Sequence, residues 1–265
     1  MNTGQGHVAI NVSKVSQQFE AGEELIKPLQ NVDFEVVKGS FTIIYGPSGS
    51  GKSTLLNVLT GLLRPTQGDV KFFGESVYNL TPDELAYFRA NQIGLVYQNN
   101  LWVNSLSVLE NVAMPLYFLG YHRSKAAKQA REALERINMA QYAKKSPSLL
   151  SGGEQQRIAM ARAIVANPQF VVADEPTGSL DSVNGDKIIR LLETCQEEFG
   201  QTVILVTHNM EYLPLADNLL HIQDGNVQQM HHNTIRETAN QLLVEMQARI
   251  DKLADTRQNR AHHAG

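Results

Sequence analysis

Cysteine is almost absent from this sequence of 265 residues, which contains only Cys195. A single cysteine excludes an internal disulfide and is typical of proteins from a reducing compartment. Cys195 follows Ile188 and Leu192 at helical spacing and precedes Phe199. We therefore expect its thiol to pack in the core rather than to react.

Long apolar runs and an excess of positive charge are also absent. No stretch approaches the roughly 20 apolar residues that a membrane span requires, and residues 1–9 lack the basic head and apolar run of a secretory signal. The formal net charge of −4 and the isoelectric point of about 6.1 argue against a nucleic-acid partner. We expect a cytosolic protein, so any membrane span with which it works belongs to a separate subunit.

Short apolar segments alternate with helical patterns along most of the chain. Buried strands are predicted at residues 41–45, 93–97, 170–173 and 202–207. Helices are predicted at residues 53–63, 124–137, 152–166 and 183–199. This alternation predicts an α/β fold with a mostly parallel core sheet covered by helices on both faces.

Three segments depart from this alternation. Residues 8–37 alternate loosely between apolar and polar, which predicts an antiparallel β region with turns near Gly22 and Pro28. Residues 99–148 have little strand character and much helical character, which predicts a helical insertion into the sheet. An Asp-Gly pair at 224–225 separates two short apolar segments and predicts a hairpin turn.

Residues 231–265 follow the predicted domain of residues 1–230 and differ from it in character. Their apolar side chains recur at spacings of three and four, in the series Ile235, Ala239, Leu242, Met246, Ile250 and Leu253. This pattern predicts a C-terminal amphipathic helix. Such a helix packs back on its own domain, pairs with a second copy or docks on a partner, and the sequence leaves these alternatives open.

Residues 46–53 match the phosphate-binding pattern G-x-x-x-x-G-K-S in full. Its glycines permit a tight backbone path that turns successive N–H groups toward a phosphate, and the following helix adds its positive end. A flexible glycine–serine loop is the alternative, but it does not account for the strand before the motif and the helix after it. The predicted phosphate-binding residues are Gly46, Pro47, Ser48, Gly49, Ser50, Gly51, Lys52, Ser53 and Thr54. Within that set, Lys52 reaches the β- and γ-phosphates and the Ser53 hydroxyl ligates Mg²⁺.

Polar residues also follow three further predicted strands. Asp174 is placed to hold Mg²⁺, and Glu175 to orient or deprotonate the attacking water. Gln98 and His208 follow two other strands. Each of these side chains also occurs as an ordinary polar strand end. Because ligands bind at the carboxyl edge of open α/β sheets, we expect all four to converge there with the phosphate loop.

The sequence Leu-Ser-Gly-Gly-Glu-Gln-Gln-Arg begins a predicted helix at residue 152. Ser151 is suited to cap this helix, and Gly152 and Gly153 expose its first N–H groups to an anion. The segment resembles the signature of ABC ATPases. The motifs described above, together with residues 179–181, match that family in order and spacing over about residues 8–230.

The resemblance implies a P-loop NTPase fold of the ABC ATPase type, with a helical subdomain inserted at about residues 99–157. It also implies a head-to-tail homodimer with two ATP molecules at its interface. Ser151 and Gly153, with Gly152 between them, would bind the γ-phosphate of the ATP held by the partner chain. Asp181 would cross the dimer to link the two sites. ATP and Mg²⁺ are the implied cofactors.

The same resemblance assigns roles around each nucleotide. His208 would contact the γ-phosphate, and Phe19 occupies the position where the family stacks an aromatic residue on adenine. The residues expected around Mg²⁺ are Ser53, Gln98 and Asp174. The residues expected to act in catalysis are Lys52, Gln98, Glu175 and His208.

Residues 109–116 and 174–182 resemble the bacterial subgroup of lipoprotein-release, macrolide-export and cell-division ATPases. That subgroup implies a peripheral protein on the cytoplasmic face of the bacterial inner membrane, which drives an integral membrane permease through export or mechanical work. Asn104 stands where lipoprotein-release members commonly have proline, so that identity is not assigned. The alternatives are an ATP-driven switch that activates an extracytoplasmic enzyme, and a soluble ABC ATPase. A GTPase is disfavoured because no Asn-Lys-x-Asp motif follows the phosphate loop.

An apolar cluster follows Gln98 and consists of Leu101, Trp102, Val103 and Leu106. One interpretation is that these side chains pack inside the helical insertion. The other is that they form a groove for a cytoplasmic helix of the membrane partner, which would let Gln98 report the nucleotide state.

Overall fold

The computed structural model describes residues 7–22 and 24–231. The strands of that part of the chain are β1 (Val8–Ala21), β2 (Glu24–Val37), β3 (Phe41–Tyr45), β4 (Gln67–Phe72), β5 (Glu75–Ser76), β6 (Ile93–Tyr97), β7 (Phe170–Asp174), β8 (Thr202–Val206), β9 (Asn218–Gln223) and β10 (Asn226–His231). Its α-helices are α1 (Lys52–Leu59), α2 (Pro82–Gln92), α3 (Val108–Phe118), α4 (Arg123–Arg136), α5 (Gly152–Ile164) and α6 (Ser182–Glu197). Its 3₁₀ turns are Val77–Asn79, Ala140–Tyr142, Pro147–Leu149 and Met210–Leu215.

The predicted C-terminal helix, with its apolar series from Ile235 to Leu253, lies outside the described residues. Among the helices that the structure does describe, none combines the length and the apolar character needed to cross a membrane.

The core sheet has six strands in the order β10-β9-β3-β8-β7-β6. The strands from β9 to β6 run parallel, and β10 pairs antiparallel with β9 through the predicted Asp-Gly hairpin. β3 and β8 are buried along their whole length because both faces of the sheet are covered. One face packs on α5 and α6, and the other on α1 together with the antiparallel sheet. The prediction of a mostly parallel core sheet with helices on both faces is confirmed, and the antiparallel sheet shares one of those faces with α1.

The antiparallel sheet has the strand order β2-β1-β4-β5. Gly22 makes the turn between β1 and β2 with a φ of 66°, as predicted. The predicted turn near Pro28 is wrong, because Pro28 lies inside β2. Strand β2 is at the edge of this sheet, where a missing N–H is tolerated. The pairing also shifts register nearby, between the pairs Gln17–Leu29 and Phe19–Ile26.

Helices α3 and α4 lie between β6 and β7 in the chain and pack with α5 around a third core cluster. Ser107 and Ser151 begin α3 and α5 with capping boxes, in which each serine side chain and the glutamate three residues later hydrogen-bond reciprocally. Asn111 is fully buried in α3 and bonds to the loop that precedes the helix. The predicted helical insertion is therefore present.

The thiol of Cys195 is buried in α6, as predicted, among residues of the core on that face of the sheet. Burial raises the pKa of Cys195 to about 12. At neutral pH the thiol is therefore protonated, which fits a packing role rather than a reactive one.

Candidate functional site

The phosphate loop connects the end of β3 to the start of α1, at the carboxyl edge of the core sheet. A side chain at Gly46 would overlap the carbonyl of Ile222, and one at Gly51 would overlap the carbonyl of Pro28. Gly51 also has a φ of 106°, a conformation that L side chains rarely adopt. The loop therefore takes its path only because glycine stands at these two positions.

Lys52 and Ser50 place polar atoms inside this loop. Lys52 Nζ donates to the carbonyl oxygens of Gly46 and Pro47 at 2.9 Å and 2.8 Å, so the ammonium group lies over the loop. Ser50 is buried, and within the described residues its Oγ has no hydrogen-bond partner. Leaving a buried hydroxyl unpaired costs free energy, which a phosphate oxygen in the loop would recover. The loop thus fits an anion.

Asp174 ends β7, beside the phosphate loop. Burial raises the pKa of Asp174, the charge of Glu175 raises it further, and the charge of Lys52 lowers it. Such a carboxylate gains from a cation, and hydroxyl, amide and carboxylate oxygens are the ligand types that Mg²⁺ prefers. Ser53, Gln98 and Asp174 line the same cleft, so this donor set fits the predicted metal.

Glu175 adopts a left-handed backbone conformation, with a φ of 47°. A non-glycine residue in that region stores about 1–3 kcal/mol of strain, and such residues concentrate at functional sites. Its N–H donates to the carbonyl of Val206 at 2.9 Å. Its Oε2 lies 2.7 Å from Nδ1 of His208 and accepts from the His208 N–H at 3.3 Å. The carboxylate is therefore held by a residue 33 positions away.

One cleft of about 400 Å³ brings these residues together. Its lining contains most of the predicted phosphate, metal and catalytic residues, namely Ser48, Gly49, Gly51, Lys52, Ser53, Thr54, Gln98, Asp174, Glu175 and His208. Pro28 of β2 also lines it, and no sequence motif marks that residue. The predicted convergence at the carboxyl edge of the sheet is thus present.

The remaining predicted site residues lie outside this cleft. Phe19 is on β1, 42% exposed, opposite Ile26. The signature forms a separate surface, where Ser151 begins α5 and Asp181 caps α6 by accepting from the N–H of Asn184 at 2.9 Å. A Cβ at Gly153 would lie 3.0 Å from the Asn184 side chain, so the starts of the two helices are in contact.

The family model for ABC transporters matches residues 29–178. The chain belongs to the ABC transporter family. The cassette is 40% identical over 223 residues to an ABC transporter ATP-binding protein of Methanocaldococcus jannaschii, a match that covers 83% of this chain and 95% of that protein. It is 37% identical over 227 residues to the macrolide export ATP-binding/permease protein of Bartonella henselae, which covers 86% of this chain but 34% of that protein.

Solved cassettes share the fold as well as the sequence. A dimeric ATP-binding cassette in a post-hydrolysis state with ADP and Pi superimposes with a TM-score of 0.78, at 38% identity, covering 84% of this cassette and 98% of that chain. An ATP-binding cassette of the ABC ATPase fold, as predicted, is therefore confirmed.

Sequence reasoning missed two residues that support the signature of this cassette. Glu154 Oε2 accepts from the N–H and the hydroxyl of Ser151, both at 2.9 Å. Tyr142 OH donates to Glu154 Oε1 at 2.5 Å. These hydrogen bonds lower the pKa of Glu154 to about 2, and the bond from Tyr142 makes the largest contribution. The serine and glutamate spacing of a capping box signals the first contact, whereas no local pattern signals Tyr142.

Each of the two interpretations of the apolar cluster after Gln98 fits part of the cluster. Trp102 is partly buried and packs against two of the core clusters, as the packing interpretation predicts. Leu101 is 73% exposed and lines a groove of about 760 Å³ that runs between α2 and α3 beside β6. Phe118, 75% exposed, lines the same groove. The cassette thus presents an apolar groove, and Leu101 in its lining follows Gln98 by three residues in the chain.

Proposed function

We propose that this cassette hydrolyses ATP with Mg²⁺ as one half of a homodimer, and that it drives a separate membrane permease. The observation that carries the proposal is the division of the site into two surfaces. The phosphate loop, Gln98, Asp174 and the pair Glu175–His208 share one cleft, whereas the signature lies outside it. A second copy that brings its signature over this cleft would complete the site.

The chemistry is in-line attack of water on the γ-phosphate. The bond from the water oxygen to phosphorus forms as the bond from phosphorus to the β–γ bridging oxygen breaks, and the water proton passes to Glu175. Lys52, released from the carbonyls of Gly46 and Pro47, neutralises charge on the phosphates. Ser53, Gln98 and Asp174 would hold Mg²⁺, which when bound would supply further positive charge beside the phosphates.

His208 keeps Glu175 suited to act as the base. When Nδ1 of the imidazole carries the proton, it donates to Glu175 Oε2 across 2.7 Å and fixes the carboxylate. The backbone bond from Glu175 to Val206 fixes the other end of the residue. A general base that is positioned before the substrate arrives contributes roughly 10²–10⁴-fold to the rate.

The exposure of Ser151 and Gly152 at the start of α5 supports the proposed head-to-tail homodimer. Ser151 and the N–H groups at the start of α5 offer donors to an anion, and the positive end of the helix favours it. The relative solved with ADP and Pi is dimeric. In the proposed dimer Ser151, Gly152 and Gly153 contact the ATP of the partner chain, Asp181 reaches across the interface, and Phe19 stacks on adenine.

The groove between α2 and α3 is the proposed contact with the permease. Exposed apolar side chains grouped in a groove mark interaction sites, and an amphipathic helix is the segment that such a groove accepts. The proposed occupant is a cytoplasmic helix of the permease, which places the cassette peripherally on the cytoplasmic face of a bacterial inner membrane. Under this proposal, export, lipoprotein release or mechanical work on an extracytoplasmic target would each be driven through this contact.

The test uses a tagged Glu175→Gln cassette, expressed in its native host and purified from solubilised membranes with ATP and Mg²⁺. We expect an integral membrane permease to co-purify, identified by mass spectrometry, and to be lost from the groove variants Leu101→Glu and Phe118→Glu. Leu62→Glu, a substitution at an exposed apolar residue outside the groove, is the matched control and should retain it. Recovery of soluble proteins alone would refute the membrane assignment.

A further inference from the structure

Trp102 hydrogen-bonds to the first turn of the signature helix. Its indole N–H donates to Oε1 of Gln155 at 2.9 Å. Nε2 of Gln155 in turn donates to the carbonyl of Leu150 at 3.0 Å. Trp102 follows Gln98 by four residues, and Leu150 directly precedes Ser151. Two consecutive hydrogen bonds therefore connect the loop after Gln98 to the residue before the signature serine.

The chemistry of the partners fixes the direction of both bonds. An indole N–H only donates, and a backbone carbonyl only accepts. The Gln155 amide therefore has one orientation that satisfies both neighbours, with its oxygen toward Trp102 and its nitrogen toward Leu150. A rotation of this amide by 180° would break both bonds at once.

Other contacts hold the loop against the same helix. Arg162, seven residues after Gln155 and about two turns further along α5, stacks over the Trp102 ring with its guanidinium carbon 4.5 Å from the ring centroid. It also donates to the carbonyl of Asn100 at 2.6 Å. Beyond Trp102, Asn111 bonds to both the N–H and the carbonyl of Val103. The chain is thus fixed before and after Trp102, so a displacement of this loop would also move the indole.

We propose that Trp102 and Gln155 are positioning residues. They hold the signature of one chain in the orientation that binds the nucleotide of the partner chain, and this orientation depends on the position of the loop after Gln98. The inference rests on the proposed function, because it requires the signature to bind the partner's ATP. Neither residue lines the cleft that holds the phosphate loop. Their effect therefore falls on dimer formation rather than on binding of ATP to a single chain.

The test compares Trp102→Phe and Gln155→Met, each made in the Glu175→Gln background. Phenylalanine keeps an aromatic ring beside Arg162 but lacks the N–H, and methionine keeps the length of glutamine but not its amide. Losing one neutral hydrogen bond changes an equilibrium by about 2- to 13-fold. Trp102→Phe removes one such bond from each chain, and Gln155→Met removes two. Because the proposed dimer uses two signatures, we expect its dissociation constant with ATP and Mg²⁺ to rise by about 4- to 170-fold for Trp102→Phe and by at least as much for Gln155→Met, measured by light scattering. ATP affinity of the single chain should be unchanged.

The double variant provides the decisive comparison. If both substitutions remove the same connection, the double variant weakens the dimer no more than Gln155→Met alone does, because Gln155→Met already removes both bonds. Additive effects, or single variants that dimerise like their parent, would overturn the proposal. A parent Glu175→Gln cassette that does not dimerise with ATP would refute the proposed function instead, so the two failures are distinguishable. Thermal unfolding without nucleotide checks that the variants fold.

Fluorescence gives a readout that a purely structural role would not affect. Trp102 is the only tryptophan in the sequence, so emission excited at a wavelength that tyrosine does not absorb reports this residue alone. We expect ATP and Mg²⁺ to change the emission of the Glu175→Gln cassette, and Gln155→Met to abolish this response even at concentrations that restore the dimer. An unchanged response in Gln155→Met would contradict the proposed connection.

Discussion

Replacing Asn111 by alanine tests how the loop after Gln98 is fixed. The Asn111 side chain is fully buried. Its Oδ1 accepts from the N–H of Val103 at 3.0 Å. Its Nδ2 donates to the carbonyls of Val103, Leu106 and Ser107 at 3.1, 3.2 and 3.0 Å. Because the two amide hydrogens serve three acceptors, the side chain supplies about three full hydrogen bonds.

The magnitude follows from those bonds and from the space left behind. Three hydrogen bonds at about 0.5–1.5 kcal/mol each contribute about 1.5–4.5 kcal/mol. The cavity left by a truncated side chain adds about 1 kcal/mol. We therefore expect Asn111→Ala to lower the free energy of unfolding by about 2.5–5.5 kcal/mol. In a chain of this size that corresponds to a fall of about 5–22 °C in Tm.

Urea and thermal unfolding measure this change. The control is Asn226→Ala, because Asn226 is exposed and its Nδ2 makes one local bond of 3.2 Å to the carbonyl of Asp224. Substitutions of exposed residues usually change stability by about 0.5 kcal/mol or less. A loss below about 1 kcal/mol for Asn111→Ala would refute the reasoning, since it would mean that the loop does not depend on these bonds.

Three further changes test the site and the core. Glu175→Gln should lower kcat for ATP hydrolysis by about 10²–10⁴-fold while isothermal titration shows ATP binding retained; hydrolysis at the wild-type rate would refute its role as base. Gly51→Ala should lower the free energy of unfolding by more than the roughly 1–3 kcal/mol of its positive φ and abolish nucleotide binding, because the added Cβ would also overlap the Pro28 carbonyl. Gly49→Ala, at a φ of 79° but with no atom within 4 Å of its added Cβ, should cost the φ strain alone. Because burial raises the pKa of Cys195 to about 12, a thiol reagent at pH 8 should modify only the unfolded chain; rapid labelling of the native protein would contradict its burial.

Buried strands were the most predictable part of the fold. β3 and β6 match their predicted ranges, and β7 and β8 differ from theirs by one residue at one end. These strands are largely buried between the two layers that cover the sheet and therefore consist mostly of apolar residues. α1 ends at Leu59 rather than at residue 63, and Gly61, with a φ of 67°, follows it. A left-handed glycine just past the end of a helix is a common stop, and the sequence prediction missed it.

The elements that the prediction omitted are those with little apolar periodicity. β4 is mostly polar, and α2 has no buried residue. A local signal for α2 does exist, since Thr81 and Glu84 form a capping box and Pro82 occupies the first turn. Capping residues thus indicate helices that an apolar stripe does not.

The site divides in the same way between local patterns and distant contacts. The phosphate loop and the polar strand ends are local patterns, and their convergence follows from the parallel sheet. Three other contacts join residues that are far apart in the chain. They are the hydrogen bond between Glu175 and His208, the wall of the cleft formed by Pro28, and the hydrogen bond from Trp102 to Gln155. No spacing rule encodes these contacts, so only the folded chain reveals them.

Mixing two inactive variants tests most directly whether each ATP site is built from two chains. Lys52→Ala removes the phosphate-loop charge, and Ser151→Asp keeps a good helix cap but places a negative charge where the partner's phosphate would lie. In a head-to-tail dimer of one chain of each kind, the intact loop of one faces the intact signature of the other. Random pairing would make half of the dimers mixed, each with one intact site, so we predict about a quarter of the wild-type hydrolysis rate on mixing and almost none from either variant alone. Activity of Ser151→Asp alone, or no recovery on mixing, would contradict the account.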